Sequence, residues 1–119
     1  MSGFVDKKES IRPWGSYTVL EIGEGYLVKT IEVNPAQRLS VQSHNHRSEH
    51  WVVLSGIANV LLGGKEFVLK EGEHVDIKVK EIHSLQNATN LPLKILEIQN
   101  GDLLSEDDII RYSDIYGRV

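Results

Sequence analysis

Gln42-Ser43-His44-Asn45-His46-Arg47-Ser48-Glu49-His50-Trp51 is the stretch on which the reading of this chain turns. It packs three histidines, a glutamate and a glutamine into nine consecutive positions. Imidazole and carboxylate are the usual ligands of zinc, iron and nickel, so the cluster is a candidate metal site. A further histidine, His83, opens another polar stretch downstream. Side chains alternate between faces along a strand. Gln42 and His44 therefore share one face, with Leu39 and Val41 on the other. Beyond the turn, Glu49, Trp51 and Val53 share a face opposite His50, Val52 and Leu54. Two ligands from one strand, one from its hairpin partner and one from a distant strand can converge inside a barrel.

The flanking sequence supplies such a barrel. Valine and isoleucine outnumber leucine, which favours strands over helices. Turn signals recur at short intervals: Gly23-Glu24-Gly25, Asn34-Pro35, Ser55-Gly56, Gly63-Gly64, Glu71-Gly72, Asn87 to Pro92 and Asn100-Gly101. Short apolar runs between such breaks read as a sandwich or barrel. Strands are predicted near Tyr17–Glu21, Leu27–Val33, Leu39–Ser43, Glu49–Leu54, Ala58–Leu62, Glu66–Leu69, Val75–Ile77, Ile82–Gln86 and Leu93–Gln99. Gly63-Gly64 marks a hairpin, because glycine supplies the positive φ of a tight turn. Ser105-Glu106-Asp107-Asp108 pairs a serine cap with three acids, the pattern of a helix N-terminus. The expectation is one all-β domain over residues 1–119, closed by a short C-terminal helical tail.

Composition narrows the function classes. The chain has 119 residues and no cysteine, which excludes disulfides, thiol catalysis and iron–sulfur clusters. Thirteen basic against 17 acidic residues leave a net charge of −4, which argues against a nucleic-acid partner. An anionic ligand must then be held by local basic residues rather than by the global field. The start, Met1 to Glu9, has no apolar run of signal-peptide length, and no segment approaches a membrane span. A cytoplasmic protein without membrane attachment is expected.

At this point the chain resembles the cupin superfamily, whose fold is a jelly-roll β-barrel. The first cupin signature has glycine, His-x-His, glutamate and a closing glycine at set spacings. Here Ala36, Gln42-Ser43-His44, Glu49 and Gly56 stand at those places. The second signature is represented by Gly72, Lys78-Val79-Lys80, His83 and Asn87. Starting the first signature at His44-Asn45-His46 would displace both glutamate and glycine, so the Gln42 register holds. The resemblance implies Gln42, His44, Glu49 and His83 as ligands of one divalent metal ion. Zinc is the first choice, with manganese, cobalt or nickel as alternatives. His46 and His50 fall to supporting or surface positions, with His50 the candidate for a supporting place behind the ligands.

A narrower resemblance is to the type II phosphomannose isomerases. It is carried by Arg12-Pro13-Trp14-Gly15-Ser16-Tyr17, by the Leu39–Trp51 string, and by Glu106-Asp107-Asp108-Ile109-Ile110-Arg111 with Tyr116-Gly117-Arg118. In bacteria this cupin is usually the C-terminal part of a bifunctional chain whose larger part is a mannose-1-phosphate guanylyltransferase. The resemblance implies a metal-dependent isomerase interconverting mannose 6-phosphate and fructose 6-phosphate. The alternative is a non-catalytic metal- or sugar-binding cupin working with a partner enzyme of sugar-nucleotide synthesis. For the implied chemistry, Lys29 and Glu97 are base candidates and Arg47 a cation gripping the phosphate. Arg12, Arg111 and Arg118 are candidates for binding the sugar phosphate, with Arg38 a further cation. Ala36 stands where glycine is usual, a mild change if the turn there needs no positive φ. Lys78 and Lys80 replace the usual proline and glycine, which implies either a looser loop before His83 or a different substrate. Finally, Leu39, Val41, Val52 and Leu54 are expected to form one outward apolar patch on neighbouring strands, covered by a second copy in a homodimer.

Overall fold

Eleven strands and no helix form among residues 8–118, the part of the chain that the computed structural model describes. They are β1 (Glu9–Arg12), β2 (Gly15–Gly23), β3 (Tyr26–Val33), β4 (Val41–Ser43), β5 (Arg47–Ser55) and β6 (Ala58–Leu62). β7 (Lys65–Leu69), β8 (His74–Ile77), β9 (His83–Gln86), β10 (Leu93–Gly101) and β11 (Ile110–Ser113) follow. One sheet has the order β1-β2-β3-β10-β5-β8 and the other β11-β4-β9-β6-β7, with every pairing antiparallel. This is the expected jelly roll. The Gly63-Gly64 hairpin between β6 and β7 forms as read, with φ of 56° and 84°.

Three central strands of the larger sheet divide its inner face into two zones. Ile31 pairs with Ile95 and Val33 with Leu93, while Ile95 faces Val53 across the other ladder. All five side chains are buried, and each contributes about 1.5–3 kcal/mol by leaving water. One pleat further on, the same ladders pair Lys29 with Glu97, Glu97 with Trp51 and Gln99 with Glu49. Strict two-residue alternation thus carries each strand from an apolar core into a polar cluster without leaving the barrel interior. The smaller sheet closes over it and places Gln42 opposite His83.

Three expectations are corrected by the fold. No C-terminal helix forms. Residues 105–108 make a single turn, Asp108 N–H donating to the Ser105 carbonyl at 3.1 Å, and the chain then enters β11 beside β4. Tertiary partners use the groups a helix would need: the Ser105 and Asp108 carbonyls accept from Arg47 and His44 respectively. The apolar patch does not exist as one surface, because Val41 lies in the five-stranded sheet while Val52 and Leu54 lie in the six-stranded one. Leu39 packs against the core.

The third correction concerns the two signature turns. Ala36 has φ of 62° and Lys80 has φ of 69°. Each is the third residue of a turn closed by a hydrogen bond, Gln37 N–H to Asn34 O and Glu81 N–H to Lys78 O, both 3.1 Å. Both turns therefore demand the left-handed backbone for which glycine is the default. Nor is the loop before His83 loose, because Lys80 N–H also donates to the His44 carbonyl at 2.7 Å. Ala36→Gly and Lys80→Gly are predicted to stabilise the fold by about 0.5–1 kcal/mol each, after the entropy of glycine is set against the relieved strain. Urea unfolding midpoints check this: both should rise at unchanged m, and a fall in both would contradict the assignment.

Candidate metal centre

His44 leaves β4, Glu49 and Trp51 stand on β5, and His83 begins β9, so three neighbouring segments meet at the polar end of the barrel. Their potential ligand atoms, one each from His44, Glu49 and His83, all lie within 4.8 Å of one another, and all three residues are buried. His44 Nδ1 sits 2.6 Å from the Asp108 carbonyl and His83 Nδ1 sits 2.9 Å from the Glu81 carbonyl. A carbonyl only accepts, so each Nδ1 carries a proton and each Nε2 is the atom turned toward Glu49. Such backbone partners are the usual means of orienting a metal-bound imidazole. His44 Nε2 is 3.1 Å from Glu49 Oε2, and His83 Nε2 is 3.7 Å from Glu49 Oε1. At these separations a proton or a metal ion must lie between the ring nitrogen and the carboxylate oxygen. Two imidazole nitrogens and a carboxylate oxygen clustered in this way fit a divalent metal with nitrogen and oxygen ligands. Gln42 lines the cavity that Glu49 and His83 also line, and its amide nitrogen is taken by Ser40 at 3.1 Å.

Glu49 has a dense set of partners. Arg47 Nε donates to Oε2 at 2.9 Å and the Trp51 indole N–H to Oε1 at 3.1 Å. Burial pushes this carboxyl up, but the His44 imidazole at hydrogen-bond distance and the Arg47 charge outweigh burial and hold it well below the usual range. Trp51 N–H also reaches Glu97 Oε1 at 2.9 Å, so one indole bridges two buried carboxylates. Glu97 is 3% exposed and lies 3.5 Å from Lys29 Nζ, with Gln99 donating to it at 2.8 Å. Burial raises its pKa to about 7, with the Glu49 charge adding to the rise and Lys29 opposing it. Burial lowers the Lys29 amine, but the charges of Glu97 and Glu106 more than offset that and hold it above its ordinary value. Burial likewise drives the His83 ring downward.

The residues singled out in the sequence separate clearly. Lys29, Glu97, Gln42, Glu49, His83, Arg12, Arg47, Arg111 and Arg118 line one cavity of about 370 Å³, and His44 stands behind its wall with its ring against Glu49 and His83. Arg47 is not a free cation: it serves Glu49, the Ser105 carbonyl at 3.2 Å and His44 Nε2 at 3.3 Å. Arg118 is bound bidentately to Asp114, at 2.7 and 3.0 Å. Arg12 stacks on Tyr17 and donates to its hydroxyl at 3.1 Å. Arg111 has a buried Nε with no partner. His50 is corrected: it faces outward beside Glu49, paired with Asp76 and stacked on His74, and supports no ligand. His46 is a surface residue near Asp102. Sequence reasoning missed Glu106, whose carboxylate lies 3.4 Å from Lys29 at the cavity mouth, and Asp108, which grips the ligand loop. Their shared string has the pattern of a helix start, which hides both roles.

A two-sheet barrel with an inward histidine–glutamate–histidine set at one end defines a cupin. The solved structures agree on the fold. A capsular polysaccharide assembling protein CapF from Staphylococcus aureus superimposes with a TM-score of 0.80 at 16% identity, covering 93% of this chain and 34% of that one. An RmlC-like cupin from Shewanella frigidimarina gives 0.76 at 18% identity, covering 85% and 87%. Within that fold, residues 4–114 match the model of the family described as mannose-6-phosphate isomerase C-terminal, and the chain belongs to this family. Mannose-1-phosphate guanylyltransferase ManC of Salmonella typhimurium is 46% identical over 112 residues, and alginate biosynthesis protein AlgA of Pseudomonas aeruginosa is 47% identical over 111. These matches cover 94% and 93% of this chain, which spans only 23% of either relative.

Those names correct the expected activity. The relatives are named for guanylyl transfer and for polysaccharide biosynthesis, and this chain corresponds to an isomerase-like C-terminal part of such proteins. The assignment as an enzyme interconverting mannose 6-phosphate and fructose 6-phosphate is therefore withdrawn.

Because Glu97 has a raised pKa when folded, it contributes stability that is fully present below the ordinary carboxylate value and lost as pH rises through about 7. Infrared spectra of the metal-free protein should show a carboxylic-acid carbonyl band that disappears across that range and is missing in Glu97→Gln. A band already lost within the ordinary carboxylate range would contradict the assigned environment.

Proposed function

We propose that the chain is a divalent-metal cupin that binds a phosphorylated sugar within mannose-based sugar-nucleotide synthesis. The observation that supports this best is the cavity that Glu49 and His83 of the histidine–glutamate–histidine set share with the basic groups Arg12 and Arg111. When bound, the metal would polarise sugar oxygens as a Lewis acid. The chain's own residues supply the rest. Arg111 and Arg12 both line the cavity and bring two guanidinium charges to a phosphate there.

The nitrogen–oxygen ligand set, with an amide oxygen from Gln42, favours zinc, manganese or cobalt over copper. The named reactions of the relatives support the pathway, since mannose 1-phosphate is the sugar of the guanylyltransferase. A cytoplasmic setting suits such a substrate and a cysteine-free chain. No helix among the described residues is long and apolar enough to cross a membrane.

Calorimetry tests the proposal in two stages. Zinc should bind near one equivalent per chain, and His44→Ala should lose it. Mannose 1-phosphate and mannose 6-phosphate should then bind the metal-loaded chain, with Arg111→Ala weakening whichever binds by about tenfold, as loss of one charge-assisted bond implies. Phosphosugar affinity that is equal with and without metal, or unchanged in Arg111→Ala, would contradict it.

A further inference from the structure

Asp108 does something that neither its exposed neighbours nor the relatives' names explain. It is 8% exposed although it lies in the turn that connects β10 to β11. Its Oδ1 accepts the backbone N–H of Asn45 and its Oδ2 that of His46, both at 2.9 Å. Its own carbonyl accepts Nδ1–H of His44 at 2.6 Å. One residue thus holds three consecutive residues that lie more than sixty positions earlier in the chain.

The two candidate imidazoles are oriented differently. The carbonyl that fixes His83 belongs to Glu81, two residues away, so that ring is set by its own strand entry. The carbonyl that fixes His44 is imported from the C-terminal segment. A single hydrogen bond from a mobile turn would not hold a ring plane. Two charge-assisted bonds from the same residue to the backbone on either side of the next peptide remove that freedom.

We propose that Asp108 is a positioning residue of the metal centre: by clamping the Asn45 and His46 amides it fixes its own carbonyl against His44 Nδ1–H and so aims His44 Nε2 at Glu49 and His83. The inference rests on the metal-site reading above. It implies that the ligand set is complete only when the segment from Ser105 to Asp108 is docked. The neighbouring contact from Arg47 Nη1 to the Ser105 carbonyl, at 3.2 Å, ties the same turn to the residue that braces Glu49.

The test is cobalt(II) binding to the full chain, read as affinity by chelator competition and as the visible d–d spectrum. Wild-type protein should take up about one equivalent; no uptake would overturn the metal reading and this inference together. If it binds, Asp108→Ala should weaken affinity about 10- to 100-fold and change the spectrum, the usual cost of losing a group behind a metal ligand. Asp108→Asn keeps one acceptor but turns an N–H toward the other amide, and should fall between the two. Near-ultraviolet circular dichroism reports whether each variant folds. Either variant folded, with wild-type affinity and spectrum, overturns the role of Asp108 while leaving the metal site standing. Should Asp108→Ala fail to fold, Asp108→Asn decides, aided by the His44 Nδ1–H proton resonance. That resonance should broaden in the variant and stay sharp in the wild type, and a sharp signal in both would overturn the inference.

Discussion

A carboxylate placed in a protein interior must be paired, because desolvating an unpaired charge costs several kcal/mol. Glu49, 4% exposed, is that carboxylate, and much of this barrel's polar end is arranged around it. Arg47 and Trp51, two residues to either side on the same strand face, each turn a donor onto it. The two imidazoles approach from the adjoining sheet. Because Trp51 shares its one N–H with Glu97, the second carboxylate is drawn into the same network, and Lys29 becomes its counter-charge. The site is therefore one electrostatic unit rather than a set of separate ligands and bases.

That unit sits inside the barrel because the strands change chemistry along their length. On β3, β5 and β10 the inward positions run from valine, isoleucine and leucine to lysine, glutamate, arginine and glutamine. The apolar half anchors the sheets, and the polar half inherits their rigidity. A ligand cavity at the mouth of a packed barrel is the natural result. The smaller sheet contributes Gln42 and His83 as direct cross-strand partners, so both sides of the site are held by backbone ladders.

Much of this was legible in the sequence, and the misses have physical causes. Alternation placed Glu49, Trp51 and Val53 on one face and His50 on the other, and the nine predicted strands all formed, most with ends shifted by a residue or two. The sequence does not fix the inward position of Glu97, since one polar residue in an apolar strand fits either face until its ladder partners are known. β1 and β11 were missed because Glu9–Arg12 and Ile110–Ser113 are short edge strands with little apolar patterning. Ser105 to Asp108 carries a sound local helix signal that distant partners override: the Asp108 carboxylate meets the Asn45 and His46 amides instead of a helix end. Ala36 and Lys80 show the same limit for turns, since their residue types give no hint of the positive φ they adopt.

Anomalous diffraction from crystals grown with zinc tests the central claim most directly. The account places one peak per chain within ~2.0–2.2 Å of His44 Nε2, His83 Nε2 and a Glu49 oxygen. A peak at the outward group of His50, His74 and Asp76, with none at the inner three, would contradict it.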